Sequence, residues 1–283
     1  MKGNPKRSLP TRFLIYSNER FPLLSYGTGI LVFFSSAYLT AQALTDSRVK
    51  AGWDSLAGLA AVLLIFFHLR IMDDLKDAAN DAQYHPERPV SRGLVTVDEL
   101  KLLGLVAIIA QIGLNLWLGW PVLGAYLAVL LFTMLMYYEF FIGQWLERDL
   151  LLYGLSHMLS MPLIACYAYA LYAFRHGTGF HPAFGLYLAL SFVVGLFLEV
   201  ARKIHAPPAA ASGDPAVSMA ESVELGSYSR YFGLARVTHV AIALILLGSA
   251  MCTGIGIVLG VRVYYYLGIW VLSIVASIGF LRF

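Results

Sequence analysis

The chain has 283 residues, 59% of them hydrophobic and 13% charged, with a formal charge of +3 and a mean hydropathy of +0.71. That apolar share is far above a soluble domain's and implies a polytopic membrane protein, the lipid bilayer being its first partner. The small charge, with no long basic tract, argues against nucleic acid as a partner, and Cys166 and Cys252 lie inside apolar stretches without metal-site spacing.

The basic N-terminus (Lys2, Lys6, Arg7, Arg12, Arg20) precedes a segment too long for a signal-peptide core and without a small-residue cleavage site. Eight stretches of about the length a helix needs to cross the bilayer follow, near 22–44, 53–72, 99–118, 121–140, 150–173, 183–203, 234–254 and 262–281. Lipid cannot satisfy backbone groups, so the expected fold is an all-α transmembrane bundle forming one membrane domain over 1–283. With the N-terminus in the cytoplasm, 16 of the 20 Lys and Arg fall on the cytoplasmic side. The positive-inside rule therefore predicts an integral protein of the cell inner membrane, with loops 73–98 and 204–233 cytoplasmic.

The first of these loops opens on Asp73, Asp74, Asp77 and Asp81, at the end of an apolar stretch. In a continuous helix, the i, i+3, i+7 spacing of Asp74, Asp77 and Asp81 puts them on one face. Carboxylates crowded there repel one another. A hard divalent cation relieves that, and Mg²⁺ prefers oxygen ligands together with a phosphate.

The pattern DDxxDxxxD, followed by Arg88-Pro89 and Gly93, resembles the first aspartate-rich motif of the UbiA superfamily of intramembrane prenyltransferases. The layout resembles it across nearly the whole chain, although that family usually has nine spans where eight are counted here. The resemblance implies Mg²⁺-dependent transfer of a prenyl group from an isoprenyl diphosphate to a hydrophobic, aromatic or lipid-like acceptor. It implies Asp73, Asp74, Asp77 and Asp81 as metal ligands, Asp77 and Asp81 as catalytic, and Lys76 and Arg88 as diphosphate contacts. Asp73 stands where the family usually has Asn.

The second loop departs from the family pattern. It begins Glu199-Val-Ala-Arg202-Lys203-Ile-His205, with one acid where relatives carry two. Glu199 is expected as a metal ligand and catalytic group, and Arg202 and Lys203 as diphosphate ligands. The competing reading is an intrahelical Glu199–Lys203 ion pair with positive-inside anchoring. A second acid would have to come from Asp214, Glu221 or Glu224, and 207–223 reads as a flexible flap. Two other functions stay open: a terpene cyclase or polyprenyl-phosphate phosphoribosyltransferase on the same scaffold, or a non-catalytic isoprenoid-binding protein or transporter. His68 and His157 are expected in interhelical hydrogen bonds, and Glu139, Glu147, Arg148 and Asp149 in a solvated turn.

Overall fold

A computed structural model describes residues 7–45, 51–146, 148–204 and 228–282; His205, Asp214, Glu221, Glu224 and Glu147 lie outside them. The chain runs α1 (Leu9–Arg20), α2 (Leu23–Thr45), α3 (Trp53–Lys76), α4 (Ala78–Tyr84), α5 (Val97–Leu118), α6 (Trp120–Tyr137), α7 (Gly143–Leu146), α8 (Leu150–Met158), α9 (Ser160–His176), α10 (Phe184–Arg202), α11 (Tyr228–Phe232), α12 (Leu234–Val258) and α13 (Val263–Arg282). There is no strand among the described residues. Eight helical segments are long and apolar enough to span a membrane, as the hydropathy pattern predicts. The fifth span is α8 and α9 together, broken at Leu159. Pro162 has no N–H for the Met158 carbonyl, which accounts for the break.

The residues group into two compact units. Unit one is Met1–Gln42, Asp46–Phe140 and Cys166–Gly179; unit two is Ala43–Thr45, Phe141–Ala165 and Phe180–Phe283.

In unit one, α3 packs on α5 through a polar girdle inside an apolar core. His68 bridges Gln111 on α5 (3.3 Å) and Thr133 on α6 (3.2 Å), and Tyr167 donates to Asn115 (2.7 Å). All five of these side chains are buried. In hydrocarbon such pairs lock helix register, because an unpaired polar group would have no water to turn to. His68 thus makes the interhelical bonds expected of it. α1 ends at Phe21, where Pro22 blocks further helix. It is tied to the start of α5 by a two-pronged Arg12–Glu99 pair (2.7 Å each), and Thr96 and Glu99 form a capping box there.

In unit two, α10 packs along α12, and α12 turns through Gly260 (φ 66°) into α13. Ser249 and Ser273 hydrogen-bond at 2.5 Å between those two helices. α11 drops Tyr228 into a core of Val200, Ile204, Val237 and Ala241. α13 buries only Ser273 and exposes mostly apolar side chains along its length, as a helix facing lipid requires.

Candidate functional site

Each unit carries one polar cluster at the end of a spanning helix. In unit one the helix does not run unbroken through the aspartates. α3 stops at Lys76, Asp77 is the junction (φ −85°, ψ −3°), and α4 restarts at Ala78. Hydrogen bonds from Asp77 N to Asp73 O (2.9 Å) and from Asp81 N to Asp77 O (2.8 Å) keep the turns in step. The expected shared face is therefore divided: Asp74 and Asp81 are buried, while Asp73 and Asp77 are exposed.

Asp74, 3% exposed, is clamped by three donors. Arg20 reaches Oδ1 at 2.5 Å through Nη2 and both oxygens through Nε (3.0–3.1 Å), Tyr16 donates at 2.8 Å, and Arg70 pairs from one turn earlier in α3. The Arg70 Nε–H is buried with no acceptor among the described residues. Burial and the Asp74 carboxylate hold the Tyr16 phenol well above its ordinary range, so it serves as a donor. Asp81 pairs with Arg88. Burial would lower the Arg88 pKa, but the hydrogen bond to Asp81 and the charges of Asp81, Asp74 and Asp77 outweigh it and raise it. The turn after Arg88 needs Gly93 at φ 73°, and Arg92 ties it to Glu19 of α1 at 2.7 Å. Lys76 pairs with Glu139. Glu139, Phe140 and Phe141 are three successive non-glycine residues at positive φ (49°, 53°, 59°), a conformation that costs energy and aims Glu139 inward instead of into a solvated turn.

Around Asp77 the surrounding protein and the carboxylates of Asp81 and Asp74 disfavour ionisation, against the pull of Lys76 and Arg88; the net effect raises its pKa. A carboxylate in that position gains from a cation. Among the described residues no three His, Cys, Asp or Glu side chains come together as a ready ligand set. Mg²⁺ does not need one, since it is commonly held by one or two carboxylates with water and substrate phosphate completing its shell. Asp77 and Asp81 fit that requirement, whereas the lone pairs of Asp74 are already used by three donors.

In unit two, Glu199 is 6% exposed and both its oxygens are bonded, Oε1 to Lys203 (2.7 Å) and Oε2 to Arg202 (2.6 Å). Lys203 Nζ lies 5.5 Å from the Tyr228 ring centroid and 5.8 Å from that of Tyr153. The Tyr228 hydroxyl donates to the Leu150 carbonyl at 3.2 Å. It fits because residue 154 is glycine: a Cβ there would stand 2.5 Å from that oxygen. Burial and the Glu199 carboxylate push the Tyr228 phenol up to about 12. Tyr153 stacks on His157, whose Nδ1 approaches the Tyr153 carbonyl on its own helix (2.8 Å). Asp149 caps α8 by accepting from Leu151 N and Leu152 N (both 3.0 Å).

Tyr16, Arg20, Arg70 and Tyr228 were not among the candidates read from sequence, and Glu139 was read only as part of a solvated turn; the types of the first four, basic or aromatic near a span end, were the one hint of a role.

The sequence matches no protein-family model and no curated protein. A solved structure described by its work on digeranylgeranylglyceryl phosphate synthase in membranes is similar, with a TM-score of 0.61, 13% identity, and coverage of 96% of this chain and 87% of that one. The chain therefore has the fold of that membrane synthase, an all-helical membrane bundle, as the apolar spans predict.

Proposed function

We propose that the protein transfers a prenyl group from an isoprenyl diphosphate to an acceptor within the membrane, with its two polar clusters on the cytoplasmic side. The observation that carries this reading is the Asp77–Asp81–Arg88 arrangement at the end of a spanning helix, in a chain with the fold of a membrane prenyl-transferring synthase. That synthase is named for a glyceryl phosphate lipid, which favours a lipid-like acceptor over a free aromatic ring.

The chemistry follows from charge. Diphosphate is a good leaving group only when the charge growing on its bridging oxygen is stabilised before the allylic C–O bond breaks. Mg²⁺, when bound, neutralises phosphate oxygens and so lowers that barrier. Asp77 and Asp81 would hold it, with Asp73 a further candidate oxygen donor. Arg88 sits against Asp81 and can swing a guanidinium proton to a phosphate oxygen. Lys76, beside Asp77 in sequence, can do the same from its pair with Glu139. Asp74 acts on the helix rather than on the metal. Its two donors from α1, Tyr16 and Arg20, fix the end of α3 against α1, next to Asp77. The apolar interior of the bundle shields the allylic cation from water until the acceptor captures it.

The test is release of inorganic pyrophosphate from geranyl, farnesyl or longer diphosphates by the purified protein with Mg²⁺. Asp77→Ala should lower the rate by about 10²–10³-fold, the scale on which losing one preorganised charge-stabilising group acts. An unchanged rate in that variant would remove Asp77 from the site. A cyclic hydrocarbon formed without acceptor would point to a cyclase. Metal-dependent binding without turnover would point to a non-catalytic isoprenoid carrier, a reading favoured by the neutralisation of Glu199 by its own helix.

A further inference from the structure

Among the described residues, Glu139, Phe140 and Phe141 are the only non-glycine residues at positive φ, and they follow one another directly after α6. Glycine takes such angles without cost; residues with a Cβ do not. Backbone of this kind persists where the surrounding structure gains from it. The gain here is the ion pair between Glu139 and Lys76, which is the last residue of α3 and the immediate neighbour of Asp77. We infer that Glu139 is a positioning residue: it holds the Lys76 ammonium off Asp77 and keeps that carboxylate open to a divalent cation while no diphosphate is bound. The inference rests on the proposed reading that Asp77 binds metal.

Three observations support it. First, the turn delivers a carboxylate. α6 ends at Tyr137, and the reversal of handedness after it redirects the side chain at 139. The Phe140 ring packs back on Phe132 of α6, edge to face at 5.6 Å, which braces the turn. The Glu139 side chain is 13% exposed, and a carboxylate so sheltered needs a cation beside it. Second, Asp77 is unclaimed. Its carboxylate makes no hydrogen bond or ion pair among the described residues, whereas Asp74 is clamped by three donors and Asp81 is paired with Arg88. Third, Lys76 is the cation best placed to claim it. Arg20 and Arg70 are bonded to Asp74, and Arg88 to Asp81. The lysine stem is long and flexible enough to reach the carboxylate next to it in sequence. An ammonium seated there would compete with a metal ion for the same lone pairs. Lys76 has further interactions of its own, but the pair with Glu139 is the one that a costly backbone serves.

The experiment is a Mn²⁺ titration of the full chain in detergent without diphosphate, read by electron paramagnetic resonance of the free ion. Mn²⁺ takes the same oxygen ligands as Mg²⁺. Glu139→Gln should weaken binding by about tenfold, within the range of coupling inside one ion-pair network. In a Lys76→Met background the same substitution should cost about threefold at most, because no ammonium is left to release. The double variant Lys76→Met/Glu139→Gln removes both charges together, so it should bind Mn²⁺ nearly as well as the wild type, with thermal unfolding in the absence of metal as the check on its fold. Equal losses from Glu139→Gln in the two backgrounds overturn the inference, since Glu139 would then act through its own charge or as a ligand. Unchanged affinity in Glu139→Gln overturns it too. So does wild-type Mn²⁺ binding that is absent, or that Asp77→Ala leaves unchanged. Asp77-dependent pyrophosphate release with equal losses in the two backgrounds would keep the proposed reaction and remove this role of Glu139. A loss confined to the Lys76 background, with no release from any isoprenyl diphosphate, would do the reverse.

Discussion

The two polar clusters solve the same electrostatic problem with opposite balances. Unit one gathers acids at the end of α3 and restrains them with arginines from α1, α3 and the following loop. Unit two presents one acid at the end of α10 and gives it two cations from its own last turn. The first arrangement leaves a carboxylate, Asp77, whose ionisation is disfavoured by its neighbours, which is where a cation would stabilise the protein. The second commits both oxygens of its buried carboxylate to cations of its own helix end. The partners also differ in range. Tyr16 and Arg20 reach Asp74 from more than fifty residues away, whereas Arg202 and Lys203 reach Glu199 within one helical turn. A clamp made by distant elements couples the cluster to the fold of unit one, while a local pair leaves its cluster free of that duty.

The isosteric amides test this contrast most directly. Asp74→Asn leaves two guanidiniums, 15% and 21% exposed, beside a neutral group, and breaking a buried pair of that kind costs about 3–5 kcal/mol. Glu199→Gln leaves one sheltered cation, Lys203 (22% exposed), while Arg202 stays in solvent, so its cost should be smaller, between the roughly 1 kcal/mol of an exposed pair and that of a buried one. Thermal unfolding of the two variants in the same detergent measures the difference. Equal losses would mean that the two clusters are structurally equivalent.

Tyr16→Phe sharpens the same point at a smaller scale. It keeps the ring and removes one hydrogen bond to a charged group, a loss of about 1.5–3 kcal/mol. If α1 positions the motif through Asp74, pyrophosphate release should fall along with stability, although Tyr16 touches no substrate in the proposed reaction. A stability loss with an unchanged rate would confine α1 to a purely structural part.

Much of this was legible in the residues. The eight spans follow from runs of apolar side chains, because lipid leaves the backbone no partner but itself. The DDxxDxxxD pattern is local, so its position at a helix end could be read directly, as could the alternative of a Glu199–Lys203 pair at i, i+4. What could not be read was the pairing across sequence. No periodicity joins Tyr16 to Asp74 or Glu139 to Lys76, and the basic N-terminus reads as a topology signal whether or not Arg20 turns inward. The break at Asp77 was hidden for a related reason: Leu, Lys, Asp and Ala all tolerate helix, and the junction is set by where Asp74 and Asp81 are held. Tyr228 was hidden among 17 tyrosines, any of which could have faced the interior.

The smallest effect expected on stability separates packing from binding. Gly154→Ala puts a methyl group 2.5 Å from the Tyr228 hydroxyl, so the ring must shift. Overpacking of this kind costs about 1–3 kcal/mol, but replacing glycine inside α8 returns about 1 kcal/mol of helix propensity. The net loss should therefore be small. Lys203 lies over that ring, so if the cluster takes part in the proposed reaction, pyrophosphate release should fall by more than the change in unfolding suggests. Gly195→Ala is the control. Its methyl would meet the flexible Met161 side chain at 2.8 Å, a comparable crowding with neither Tyr153 nor Tyr228 involved. If both variants slow release alike, the position of the Tyr228 ring is not what matters. If only Gly154→Ala does, the ring position in unit two is a determinant of the reaction in its own right, independent of the acids in unit one.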